Sequence, residues 1–298
     1  NGRALYTAGN ALFVASLADA FEGRQITPVR VQLAFPASGT GALWNEYLIQ
    51  PTERDRCSLE YVSPQGKSDF AVRIGDPLTR PMCLMGDYLL CISGSTVISV
   101  DLRRGKIIGK RALDEKITSV PCGLDGKFIV AGERYLYSLT PELVGGAVHT
   151  LKGVTYSQGT GKILRNRIVS YNGVAYWIER NDSNILLCAY DGKTAFVKPM
   201  SRSVVDFMQT QPIFYDGNFY GGETKSVVTA KVESLEKEWS FKFLAPLGDK
   251  YLELAVIGGM PYINPMTGET ANLRLRSIYK GRALLVDIAN GGIYAGRI

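Results

Sequence analysis

Residues 80–113 read RPMCLMGDYLLCISGSTVISVDLRRGKIIGKRAL, which is four short apolar runs with breaks at Gly86, Gly94 and Gly105. Runs rich in Val, Ile, Leu and Tyr between turn residues are typical of pleated, half-buried strands. Glycine adopts the positive φ that a tight reversal between two strands requires. The stretch therefore predicts a four-stranded antiparallel meander.

The same order of runs and turns recurs about every 40 residues, a period that is typical of repeat architectures. Further copies span residues 118–151, 167–198 and 212–243, and their breaks include Asp125-Gly126, Asn172-Gly173 and Asp191-Gly192. Asn-Gly and Asp-Gly between apolar runs are the strongest short-range signal of a β-hairpin. The copies within residues 3–35, 44–74, 252–276 and 281–298 are less regular. The chain is therefore predicted to be all-β.

A sheet of four strands cannot bury both of its faces alone, so successive sheets must stack, and radial stacking gives a β-propeller. Blades of about 42 residues would make the ring about seven-bladed, with six or eight blades also open. We expect a single domain over residues 1–298, closed by a blade that combines residues 3–7 with residues 282–286. In such a ring the connecting loops occupy two broad faces.

The run from Ser95 to Asp101, followed by Gly105-Lys106 and another apolar run, resembles the blade signature of quinoprotein-like (PQQ-type) propellers. Shorter echoes occur at residues 191–193 and 264–269. The Trp that usually follows in that signature is replaced by Gly109, and the chain has no adjacent cysteine pair of the kind that quinone-using members display. The resemblance therefore implies a non-enzymatic, scaffold-type member. The repeat is also WD40-like, although no Trp-Asp dipeptide occurs.

The formal net charge is +6, and basic residues cluster at Arg103, Arg104 and Lys106. Such a patch favours partner proteins with acidic surfaces, and it is also compatible with nucleic-acid phosphates. No stretch approaches the ~18 uninterrupted apolar residues of a membrane-spanning helix. The composition therefore predicts a binding module without a membrane span.

Five scattered cysteines without a CxxC pair predict buried thiols in a reducing compartment, and hence a cytoplasmic protein. The alternative is that Cys83 and Cys122, at equivalent positions of consecutive repeats, bridge two sheets or line the channel. His149 is the only histidine, which removes most nucleophilic triads and histidine-rich zinc sites. We expect it on the surface of an outer strand, and we predict neither a cofactor nor a metal.

Enzymatic activity stays open, because two carboxylates across the channel could serve a carbohydrate-active hydrolase or lyase. The candidates are Glu46, Glu53, Asp55, Glu60, Glu179, Asp182, Asp191 and Glu253. A second alternative is a nucleic-acid-associated module that uses the basic patch.

The favoured function is a protein–protein interaction scaffold, a platform within a larger assembly, because rigidly held loops bind partners with little ordering cost. Residues in or beside irregular connectors or the basic patch are the candidate contacts with other protein subunits. They are Trp44, Arg54, Arg103, Arg104, Lys106, Tyr156, Arg180 and Phe207.

Overall fold

The computed structural model describes residues 3–8, 10–16, 29–63, 65–151, 168–171, 173–181, 184–200, 213–215, 218–223, 226–231, 240–247, 250–254, 273–279, 282–287 and 293–297. Within these ranges the regular structure consists of strands and one turn of 3-10 helix at Arg54–Arg56. The all-β prediction is confirmed. None of the described residues belongs to a helix of the length and apolarity that crossing a membrane requires.

The strands form five sheets of three or four strands and one larger sheet. Sheet A contains β1 (Arg3–Ala8), β2 (Ala11–Ser16) and β3 (Val29–Gln32), and sheet B contains β4 (Ala42–Trp44), β5 (Tyr47–Thr52), β6 (Ser58–Val62) and β7 (Ser68–Arg73). Sheet C contains β8 (Cys83–Met85), β9 (Tyr88–Ser93), β10 (Thr96–Asp101) and β11 (Lys106–Ala112). Sheet D contains β12 (Cys122–Leu124), β13 (Lys127–Ala131), β14 (Tyr135–Leu139) and β15 (Gly145–Thr150), and sheet E contains β16 (Val169–Tyr171), β17 (Val174–Asn181), β18 (Asn184–Tyr190) and β19 (Ala195–Met200).

Sheet F has eight strands in the order β20-β21-β22-β23-β24-β27-β26-β25. They are β20 (Ile213–Tyr215), β21 (Asn218–Glu223), β22 (Ser226–Lys231), β23 (Ser240–Leu247), β24 (Lys250–Leu254), β25 (Leu273–Tyr279), β26 (Arg282–Asp287) and β27 (Ile293–Arg297). The parallel contact between β24 and β27 involves one residue pair, Lys250 with Arg297. β1 pairs with β2, whereas β26 lies between β25 and β27. Ring closure by both ends of the chain, the single domain and the blade count of seven stay predictions.

Sheets B to E are antiparallel meanders in which each strand pairs with the next along the chain. The stretch 80–113 forms sheet C, and its β9–β10 register runs without interruption from Thr96 opposite Ser93 to Asp101 opposite Tyr88. Residues 44–74, which look irregular in the sequence, nevertheless build most of sheet B. The outermost ladder contains a register shift in sheets B, C and D.

The chain divides into two compact units. One holds residues 5–14 and 29–200, and the other holds residues 1–4, 15–28 and 201–298, including sheet F. In the first unit, apolar layers lie between A and B, B and C, C and D, and D and E. Leu59 and Ile98 belong to the B–C layer, and Val97 and Phe128 to the C–D layer. Each of sheets B, C and D therefore buries both faces against its neighbours, as stacked blades require.

Candidate functional site

Strand reversal places the turns that follow the first and third strands of a meander at one end of the sheet. In sheet B these turns join β4 to β5 and β6 to β7, and in sheet C they join β8 to β9 and β10 to β11. Side chains from both sheets meet at this end, so we call it the turn face. It contains four of the residues that the sequence analysis singles out, Trp44, Arg103, Arg104 and Lys106.

Asp87 connects sheet B to the turn between β10 and β11, which carries Arg103 and Arg104 and is followed by Lys106, and which we call the basic turn. Trp44 Nε1 donates a hydrogen bond to Asp87 Oδ1 at 3.0 Å, and Arg103 Nε lies 2.6 Å from Asp87 Oδ2. The Leu102 amide also donates to the Asp87 carbonyl oxygen at 2.8 Å. The Arg103 side chain is 74% exposed, so a solvated guanidinium is held in place by a carboxylate that a second sheet orients.

Arg104 has a similar arrangement on the same turn. Its amide donates to Asp101 Oδ1 at 3.0 Å, and its Nε lies 3.6 Å from Asp101 Oδ2, while the side chain is 77% exposed. An Asp that accepts from the backbone after it is a common way to close a turn. Exposed Lys106 pairs with Asp101 in the β10–β11 register. Three cationic side chains therefore stand on one turn that is anchored by Asp87 and Asp101.

Aromatic side chains of sheet B pack beside this turn. The Tyr61 ring makes edge contacts with the rings of Trp44, Tyr47 and Phe70 at centroid distances of 6.2, 6.3 and 5.5 Å. The Tyr61 hydroxyl donates to the Leu102 carbonyl oxygen at 3.2 Å. Burial raises the pKa of Tyr61 to about 12, and the negative charge of Asp101 adds to the shift.

Phe70 is the exposed member of this aromatic group, with 49% of its surface accessible. Its ring lies against Gly105, where φ is +59° and where an added Cβ would overlap the ring. Phe70 is not among the predicted contacts, because nothing in the sequence pattern of β7 distinguishes an exposed ring from a packed one.

A hollow of about 320 Å³ lies on the turn face between the two turns of sheet B. Its walls are Glu46, Tyr47, Ser63, Gln65, Lys67 and Asp69. Two carboxylates and one ammonium line it, so its charge is opposite in sign to that of the neighbouring basic turn.

Arg54 lies at the opposite end of sheet B, in the 3-10 turn between β5 and β6. Its Nη1 lies 3.9 Å from Glu60 Oε1, and its guanidinium carbon lies 5.5 Å from the Phe35 ring centroid. The structure therefore does not bring Arg54 to the turn face. Arg180 belongs to β17, and its side chain, like Tyr156 and Phe207, lies outside the described residues. These four assignments as partner contacts stay predictions.

His149 differs from the expectation of an ordinary surface residue. Its side chain is 15% exposed, and its Nε2 lies 3.9 Å from Oε1 of the fully buried Glu179, which accepts a hydrogen bond from Trp177 Nε1 at 2.9 Å. The physical reason is the register shift between Leu136 and Tyr137, which turns this part of β15 against sheet E. Strand alternation alone cannot reveal such a shift.

All five cysteines are buried thiols, as the sequence analysis predicts. Cys83 belongs to the C–D layer and Cys122 to the D–E layer, which argues against a bridge between them. Burial raises the pKa of Cys57 and of Cys91, so neither thiol ionises readily. Among the described residues no group of three or more His, Cys, Asp or Glu side chains could hold a metal ion.

Comparisons with known proteins bear on the fold. No family model and no curated protein matches the sequence. BamB from Moraxella catarrhalis superimposes with a TM-score of 0.58 at 13% identity, over 99% of this chain and 96% of BamB. The Pan2 WD40 domain of Neurospora crassa gives a TM-score of 0.56 at 10% identity, over 98% and 87%. The WD40 domain of Toxoplasma gondii coronin gives 0.54 at 11% identity, over 98% and 77%.

The fold is a β-propeller. At these identities the comparisons establish the architecture and repeat type of four-stranded antiparallel blades, and they assign no partner.

Proposed function

We propose that this chain is a protein-interaction scaffold, a β-propeller platform within a larger assembly, and that its turn face binds a partner subunit. The observation that carries the proposal is the pair of contacts that Asp87 makes with Trp44 and Arg103. Arg103 is 74% exposed, yet Asp87 holds its Nε at 2.6 Å. Arg and large aromatic residues dominate binding hot spots, and side chains that are already ordered lose little entropy on association.

The surroundings of these contacts support the same function. Phe70 presents a half-exposed ring beside the turn, and a partner that covers this ring removes apolar area from water. The turns that carry these groups are held by strands whose two faces are buried, so the surface is rigid. An acidic partner would complement Arg103, Arg104 and Lys106.

A charge reversal with a matched control tests the proposal. Arg103 and Arg56 are both 74% exposed and each pairs with an aspartate, but Arg56 precedes β6 at the opposite end of sheet B. Tagged wild-type protein, Arg103→Glu and Arg56→Glu are each captured from the native host, and the dominant co-purifying protein is quantified. We expect Arg103→Glu to lose that protein and Arg56→Glu to retain it. Equal retention, or equal loss, contradicts the proposal.

A further inference from the structure

We infer that the partner contacts the turn face with an extended segment that carries a cationic side chain, an apolar side chain and an acidic side chain in that order. The inference rests on the proposed function and specifies the chemistry of the partner. It follows from three neighbouring features of the first unit: the acidic hollow, the Phe70 ring and the basic turn.

The hollow has the size and the charge to take a lysine or arginine side chain. Its volume of about 320 Å³ is at the lower end of the range of small-ligand pockets, roughly 300–1,000 Å³. Glu46 and Asp69 are exposed at its wall, and Lys67 compensates only one of these charges. The Tyr47 ring supplies an aromatic face of the kind that attracts a cation.

Phe70 fixes the order of the three features. The Tyr61 ring contacts both Tyr47 of the hollow and Phe70, and the Phe70 ring also lies against Gly105 of the basic turn. The ring is 49% exposed, so an apolar partner side chain can cover it and remove that area from water. A segment that crosses Phe70 therefore has the acidic hollow on one side and the basic turn on the other.

The basic turn suits a carboxylate. The contacts of Arg103 with Asp87 and of Arg104 with Asp101 use the Nε atoms, and both side chains are more than 70% exposed. The terminal Nη donors of each guanidinium match the two oxygens of a carboxylate, a geometry that forms bidentate pairs. A nucleic-acid backbone would satisfy this turn as well, but its phosphates would be repelled by Glu46 and Asp69. The hollow therefore favours a protein segment.

A random-peptide display library selected on the immobilised full chain tests the inference. We expect the selected peptides to share the order cation, apolar residue, acid. Peptide affinity is then measured on Phe70→Ala, Arg103→Glu and Asp69→Asn, with Arg56→Glu and Asp114→Asn as exposed controls away from the turn face. Each turn-face variant should weaken binding by about three- to tenfold, since exposed charge pairs contribute modestly. The controls should bind as the wild type does.

A charge swap completes the test. Asp69→Lys should lose the selected peptide and should recover binding when the peptide's cation is replaced by glutamate. If the selected peptides lose affinity for Phe70→Ala and Arg103→Glu but bind Asp69→Asn as tightly as the wild type, the inference is overturned while the proposed scaffold function stands. Peptides that bind all turn-face variants equally, or a selection that yields none with this order, would overturn the inference too. The proposed function itself is contradicted only by the capture experiment, if Arg103→Glu and Arg56→Glu retain the partner equally or lose it equally.

Discussion

Replacing Gly105 by alanine tests whether the basic turn and Phe70 are packed as described. Gly105 has φ +59° and an added Cβ would overlap the Phe70 ring, whereas Gly86 of the same sheet has φ +58° and no atom within 4 Å of an added Cβ. The left-handed conformation costs an alanine about 1–2 kcal/mol at either site. Displacing Phe70, which is 49% exposed, forfeits about half of the ~2 kcal/mol that full burial of such a side chain provides. We therefore expect Gly105→Ala to lose about 1 kcal/mol more than Gly86→Ala.

The assay is urea unfolding followed by tryptophan fluorescence, with both variants compared with the wild type. In a Phe70→Ala background the difference between the two glycine substitutions should vanish, because the ring that the new Cβ displaces is absent. Equal losses for Gly105→Ala and Gly86→Ala in the wild-type background would show that Phe70 does not pack on the turn. The inferred position of Phe70 between the acidic hollow and the basic turn would then be wrong.

Three further predictions concern the same sheets. Asp87→Ala should destabilise the protein by about 1 kcal/mol in urea unfolding, since it leaves the half-buried Trp44 Nε1 without its acceptor and releases Arg103. Asp87→Asn, which keeps an acceptor, should lose less, and equal losses would contradict this account. Burial raises the pKa of Tyr61 from its usual value of about 10 to about 12, so folding favours the neutral phenol over the phenolate. The contribution of Tyr61 to the free energy of unfolding should be fully present below pH 10 and should be lost between pH 10 and 12. The fall in stability over this range should therefore be shallower in Tyr61→Phe, and an identical pH profile for the two proteins would refute this prediction. Glu60 is 1% exposed, neither of its oxygens accepts a hydrogen bond, and its contact with the half-exposed Arg54 is long at 3.9 Å. Glu60→Gln should therefore leave the urea midpoint unchanged or raise it, and a large drop would show that the ion pair with Arg54 is needed.

Much of the fold follows from the sequence because hairpin chemistry is local. The Gly86, Gly94 and Gly105 breaks and the apolar runs between them predict all four strands of sheet C. The fourth repeat is less complete, since β21 (Asn218–Glu223) contains two glycines and is not recognised as a strand. Blade number and ring closure depend on how distant segments meet, which strand patterns do not encode.

The candidate site is predicted only in part. Clustering of basic residues at one turn identifies Arg103, Arg104 and Lys106, and an aromatic residue next to an irregular connector identifies Trp44. The residue that joins them, Asp87, is unremarkable in sequence because its two partners lie 43 and 16 positions away. Phe70 and the hollow escape prediction for a similar reason: exposure is decided by what the neighbouring sheet covers.

The alternation of sheets and shared apolar layers determines which sheet loses packing when a buried side chain is shortened. Val97 and Phe128 lie in the C–D layer, and Ile98 and Leu59 lie in the B–C layer, so adjacent residues of β10 pack against different neighbouring sheets. A cavity made at Val97 should loosen sheet D, while one made at Ile98 should loosen sheet B. In β9 and β10 alternate residues thus face different neighbouring sheets, so the position of a substitution along the strand decides which neighbour loses packing.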